Sequence, residues 1–101
     1  MSYEILVGLK VTDDLTYQAY RDAIAPILVK YEGRFCYDFS VDKVLRSENS
    51  EDINRVFTLN FPSQAQQKSF FSDDAYLAVK AKYFEASVAQ AHILAAFNKD
   101  D

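Results

Sequence analysis

Four stretches of this chain alternate apolar with small or polar residues at a period of two, and between them lie two stretches whose apolar residues recur every three or four positions. Residues 3–9 set Tyr3, Ile5, Val7 and Leu9 against Glu4, Leu6 and Gly8, which predicts a strand. Thr12 or Asp13 then offers a helix N-cap. Tyr17, Tyr20, Ile24, Ile27, Leu28 and Tyr31 form a helical stripe. Pro26 lies inside the stripe and removes one hydrogen bond, but the stripe continues past it, so one helix is expected, stopping at Gly33.

Residues 34–44 predict a second strand, with Phe35, Tyr37, Phe39 and Val41 opposed to Cys36, Asp38, Ser40 and Asp42. The polar residues 47–52 predict a hairpin loop, and residues 53–61 a third strand. Ser63 and Gln66 form a capping box for a second helical region, which Ser72, read as a new N-cap, should divide in two. Residues 87–97 complete the pattern as a fourth strand. Strand, helix, strand, strand, helix, strand, joined by right-handed crossovers, most simply gives a four-stranded antiparallel sheet with both helices on one face. That is the ferredoxin-like α+β arrangement. One domain over residues 1–101 is expected, ordered from about 3 to 97, since 101 residues leave no length for another.

Side chains alternate between the faces of a sheet. By parity, Ile5, Val7 and Leu9; Phe35, Tyr37, Phe39 and Val41; Phe57, Leu59 and Phe61; and Ala89, Ala91, Ile93 and Ala95 should lie under the helices. The alanines should let a helix approach closely. The other face collects Glu4, Leu6, Gly8 and Lys10; Cys36, Asp38, Ser40 and Asp42; Asn54, Val56, Thr58 and Asn60; and Val88, Gln90, His92 and Leu94. This mixture is too apolar for a plainly solvated face, and its unpaired carboxylates are too costly for a dry interface. Two copies facing each other around a partly wet cavity satisfy both, so a homodimer is expected.

The stretches "YQAYRDAIAPILVKYEGRF" and "RVFTLNFPSQAQQKSFFSDDAYLAVKAKYFEAS" carry Tyr20, Pro26, Gly33-Arg34-Phe35, Phe61-Pro62-Ser63, and Ser72 followed by Tyr76. In that order and spacing the chain resembles the domain-of-unknown-function 1330 family of the dimeric α/β-barrel superfamily. The resemblance implies a ferredoxin-like protomer pairing sheet to sheet into a barrel, with Pro26 tolerated. It implies no activity. Family members usually carry Arg-Gly a few residues past the Gly-Arg-Phe, where this chain has Asp38-Phe39, so an anion-binding role for that Arg does not transfer.

His92 is the sole histidine, and beside Glu4 or Asp38 it could serve as a general base; a polar filler of an interface is the plainer reading. Leu6, Asp38, Ser40, Thr58, Asn60, Gln90 and His92 are the residues expected to line a ligand cavity between two sheets. Asp38 and Asp42 lack the dense ligand loop of a calcium site, so no metal is expected. Cys36, between Arg34 and Asp38, reads as an inert thiol. The tyrosines at helical spacing read as core before they read as an aromatic cage. Two glycines in all leave no phosphate-binding loop, and no cofactor is expected.

Eleven basic residues, scattered among fifteen acidic ones at net charge −4, argue against nucleic acid and anionic membranes as partners. No apolar run nears a membrane span, and "MSYEILVGLKV" lacks a signal peptide's positive start, so a cytoplasmic protein is expected. Three functions compete: a small-molecule-binding dimer, a cofactor-free enzyme of isomerase or monooxygenase type, and a structural or interaction module.

Overall fold

The computed structural model describes residues 1–48 and 52–100. The elements are β1 (Ser2–Val11), α1 (Asp14–Lys30), β2 (Arg34–Ser40), β3 (Arg55–Phe61), α2 (Gln64–Ser72), α3 (Asp74–Val79) and β4 (Val88–Lys99). Between α3 and β4 the helix runs on through a π-helical turn (Lys80–Phe84) and a last α turn (Glu85–Ser87). The strands form one antiparallel sheet in the order β2-β3-β1-β4, the ferredoxin-like topology. Part of the expected hairpin loop, residues 49–51, lies outside the described residues.

Asp13 caps α1, its carboxylate accepting from the Thr16 amide at 3.1 Å, and the helix passes through Pro26 unbroken. It ends in a Schellman arrangement: Gly33 N–H donates to the Leu28 carbonyl and Glu32 N–H to that of Val29. The left-handed residue is Glu32, at φ 57°, not Gly33. Gly33 is needed for space, because a Cβ there would stand 2.6 Å from both Leu28 Cδ1 and Phe61 Cε1. Glu32→Gly should therefore stabilise the protein by about 0.5–1 kcal/mol, the left-handed cost less the entropy of glycine. A melting temperature that fails to rise would contradict this geometry.

Asp73, not Ser72, caps α3, accepting from the amides of Ala75 and Tyr76. The Ser72 hydroxyl instead donates back to the Lys68 carbonyl, closing α2.

Three register shifts revise the parity. Phe35 pairs with Leu59, but Tyr37 pairs with Thr58, so Cys36 is the extra residue and the faces exchange beyond it. Tyr37 and Phe39, expected under the helices, stand on the open face, stacked at 6.1 Å and 57% and 55% exposed. Asp38 and Ser40 go to the helix side, opposite Phe57 and Arg55. In β4, Leu94 is the extra residue between the Val7–Ile93 and Leu6–Ala95 pairs, which moves Ala95 to the open face. A second shift, at Ala89, turns Val88 inward against the core.

The core joins Ile5, Val7, Leu9, Phe57, Leu59 and Phe61 of the sheet to Tyr17, Tyr20, Ile24 and Leu28 of α1 and to Phe70 and Tyr76. The alanines of β4 do not draw a helix close: Ala89 and Ala91 are exposed and Ile93 is 61% exposed. The open face is not bare, since Ile53 and Leu94 lie over Gly8, where a Cβ would come within 2.8 Å of Ile53 Cδ1. Among the described residues, no helix is long and apolar enough to cross a membrane.

Candidate functional site

Five of the seven residues expected to line a cavity share the open face: Leu6, Thr58, Asn60, Gln90 and His92. The Thr58 hydroxyl accepts from the Tyr37 amide at 3.1 Å. Asn60 Nδ2 donates to Glu4 Oε1 and Ser2 Oγ, both at 2.9 Å, and Lys99 Nζ reaches the same Glu4 oxygen at 3.2 Å. Burial pushes the Glu4 carboxyl up, but the Asn60 hydrogen bond and the Lys99 ammonium outweigh it and hold the group below its ordinary range. Burial raises the Cys36 thiol, with Arg34 opposing and Glu4 reinforcing, which suits an inert cysteine.

Neither of the two acids expected beside His92 stands next to it in the sheet. His92 lies opposite Gly8 while Glu4 lies opposite Phe97, four residues along β1, or roughly 14 Å at strand spacing. Asp38 is on the other face of the sheet. Arg55 grips it with Nε and Nη2, each at 2.8 Å, and Arg21 Nη2 of α1 lies 3.2 Å from Oδ1. The Arg21 guanidinium is stacked 3.8 Å over the Phe35 ring, and its Nε donates to the Tyr17 hydroxyl. Bonding from Arg55, with Arg21 behind it, holds the Asp38 carboxyl below its ordinary range against the opposing effect of burial. Ser40 lies beside this cluster in a small polar hollow with Asp14, Asn54 and Arg55.

An apolar space lies between the sheet and the helices. It is a pocket of about 210 Å³, floored by Val7 and Leu9 of β1 and Leu59 of β3 and roofed by Tyr20, Tyr76 and Phe84. The stretch of β4 from the exposed Ala91 through the half-buried His92 to the exposed Ile93, with the half-buried Lys80, forms its mouth. The Tyr20 and Tyr76 hydroxyls meet at 3.0 Å in the roof. Burial pushes both phenols above their ordinary pKa, so both stay protonated at neutral pH. Two O–H groups sharing one hydrogen bond leave one proton over for a bound oxygen.

Parity reasoning missed this pocket because it packed the alanine strand against a helix. The usable signal was Tyr20 and Tyr76 themselves, two buried hydroxyls that needed a polar partner.

Comparison with known proteins follows the same architecture. The family described as "Domain of unknown function (DUF1330)" matches residues 2–97. No curated protein matches the chain. Among solved structures, a protein of unknown function from Rhodopseudomonas palustris superposes with TM-score 0.82 at 16% identity, covering 99% of this chain and 83% of that one. A dimeric protein of unknown function and ferredoxin-like fold from Bacteroides fragilis gives TM-score 0.63 at 13% identity, covering 97% and 96%. SnoaB, a cofactor-independent oxygenase from Streptomyces nogalater, gives 0.56 at 11% identity, covering 99% and 92%. At these identities the likeness is one of fold.

Proposed function

The chain belongs to the DUF1330 family, and we propose that it is a small-molecule-binding protein that works as a homodimer, each protomer holding its ligand between sheet and helices. One observation carries the reading. Protein interiors seldom keep voids larger than a water molecule, and engineered apolar cavities near 150 Å³ take up benzene. A pocket of about 210 Å³ with an open mouth and a hydroxyl pair in its roof fits a site kept for a ligand. Its placement departs from the cavity between sheets that the sequence suggests; Leu6, Thr58, Asn60 and Gln90 belong instead to the face that meets the second copy, while His92, on a β4 position of that face, also borders the pocket.

The dimer rests on that face. Tyr37 and Phe39 on β2 and Leu94 and Phe97 on β4 are each at least 43% exposed there, so both edges of the open face present large apolar side chains. The Bacteroides fragilis protein of this fold is dimeric. Pairing should bury at least ~1,200 Å² in total. The lone Cys36 suits a cytoplasmic setting.

The cofactor-free enzyme is the second reading, drawn from SnoaB. It ranks lower because the acid/base pair it would use, His92 with Glu4, is separated along the sheet.

Native mass spectrometry of the purified protein, with sedimentation velocity at micromolar concentration, tests the proposal. Expected are twice the chain mass, a bound small molecule or uptake of an added apolar one, and a monomer once Tyr37→Glu is combined with Phe39→Glu. A monomeric wild type overturns the dimer. Failure to take up any apolar ligand returns the chain to an interaction module.

A further inference from the structure

We infer that the pocket selects a small apolar monocarboxylate, its oxyanion held between the Lys80 ammonium and the Tyr20–Tyr76 hydroxyl pair. The inference rests on the ligand-binding reading above and adds the chemical class. Lys80 N–H donates to the Tyr76 carbonyl, so the two residues are one helical turn apart, and both side chains line the pocket. Among the described residues Lys80 enters none of the ion pairs, whereas Lys10, Lys30 and Lys99 each have a carboxylate partner. The ammonium of a half-buried lysine beside an apolar mouth carries a charge that a ligand can complete.

The hydroxyl pair points to the same class. One of its protons is uncommitted and neither phenol ionises near neutral pH, so the pair is a fixed donor. An ammonium and an O–H donor on neighbouring turns suit an oxyanion and offer nothing to a cation. Apart from His92, the remaining walls are apolar: Val7, Leu9 and Leu59 below, Phe84 above and Ile93 at the mouth. Scaled from cavities that hold benzene, about 210 Å³ accommodates roughly eight to ten heavy atoms. A phenyl or branched alkyl body fills that space with its carboxylate near the mouth, where water limits the desolvation cost.

Three probes of one shape test the class against the full chain by calorimetric titration at pH 7: phenylacetate, 2-phenylethanol and 2-phenylethylammonium. Phenylacetate is expected to bind about tenfold tighter than the alcohol, and the ammonium not at all. Lys80→Met keeps the apolar stem and should bring phenylacetate down to the alcohol's affinity without moving the alcohol. Tyr76→Phe should weaken phenylacetate several-fold while the protein still melts cooperatively. Equal binding of phenylacetate and the alcohol, or a preference that survives Lys80→Met, overturns the carboxylate class and leaves the pocket as a neutral apolar site. Binding of none of the three overturns both the class and the ligand site itself.

Discussion

Phe61→Ala should lower the unfolding free energy by about 4 kcal/mol, within the range for removing a buried phenylalanine. The Phe61 ring is fully buried, 5.6 Å from the centroid of Phe70 and 6.4 Å from that of Phe71. Collapse cannot refill the space cheaply. The helix end at Gly33 already lies against the ring, and β3, flanked by β1 and β2, is fixed by ladders on both sides. Urea unfolding at one fixed protein concentration measures the loss, with Leu15→Ala, 86% exposed on α1, as the control expected below about 0.5 kcal/mol. A loss at Phe61 no greater than at Leu15 would mean that β3 is not central or that its buried face is wrongly assigned.

Asp38→Ala should cost roughly 2 kcal/mol. Removing one partner of a fully buried ion pair costs about 3–5 kcal/mol. Here the Asp38 side chain is 33% exposed, which reduces that figure, but two guanidiniums lose a shared counter-charge. The Arg21 side chain is 11% exposed and cannot turn to water without leaving Phe35. Because the folded carboxyl titrates below its unfolded value of 3.8, its contribution is full above that pH and lost as pH falls through the folded value. The deficit of the variant should therefore be steady from about pH 5 to 7 and shrink towards pH 2. An aspartate lining a watery cavity between sheets would lose almost nothing on substitution. A deficit near zero at pH 7 would restore the unbulged parity.

The fold was legible because its signals repeat. Four period-two stretches, the Asp13 cap and the Ser63–Gln66 box each point to the same element order, and the order leaves few topologies. The faces were less legible. Parity carries along a strand only while the ladder is regular, and one extra residue at Cys36 exchanged Asp38 and Ser40 for Tyr37 and Phe39. Nothing at Cys36 announces a bulge: no glycine is there, and the alternation runs straight through it. Yet two exposed aromatics in place of an acid and a serine make the open face a better surface for a second copy than the sequence suggested. The pocket was hidden for a different reason. Ala89 and Ala91 read as room for a helix, whereas the helices stop short of β4 and leave that room as the mouth of a pocket.

The measurement that reaches the central claim most directly is a methyl-labelled NMR titration of the protein with phenylacetate and with 2-phenylethanol. The two faces of the sheet carry separate reporters: Ile5, Val7, Ile24 and Leu59 around the pocket, Leu6, Val56 and Leu94 on the open face. A ligand held between sheet and helices should move the first set and leave the second in place, with the Ile93 methyls moving at the mouth. Shifts confined to Leu6, Val56 and Leu94 would put the ligand between the two sheets of a dimer and contradict the account.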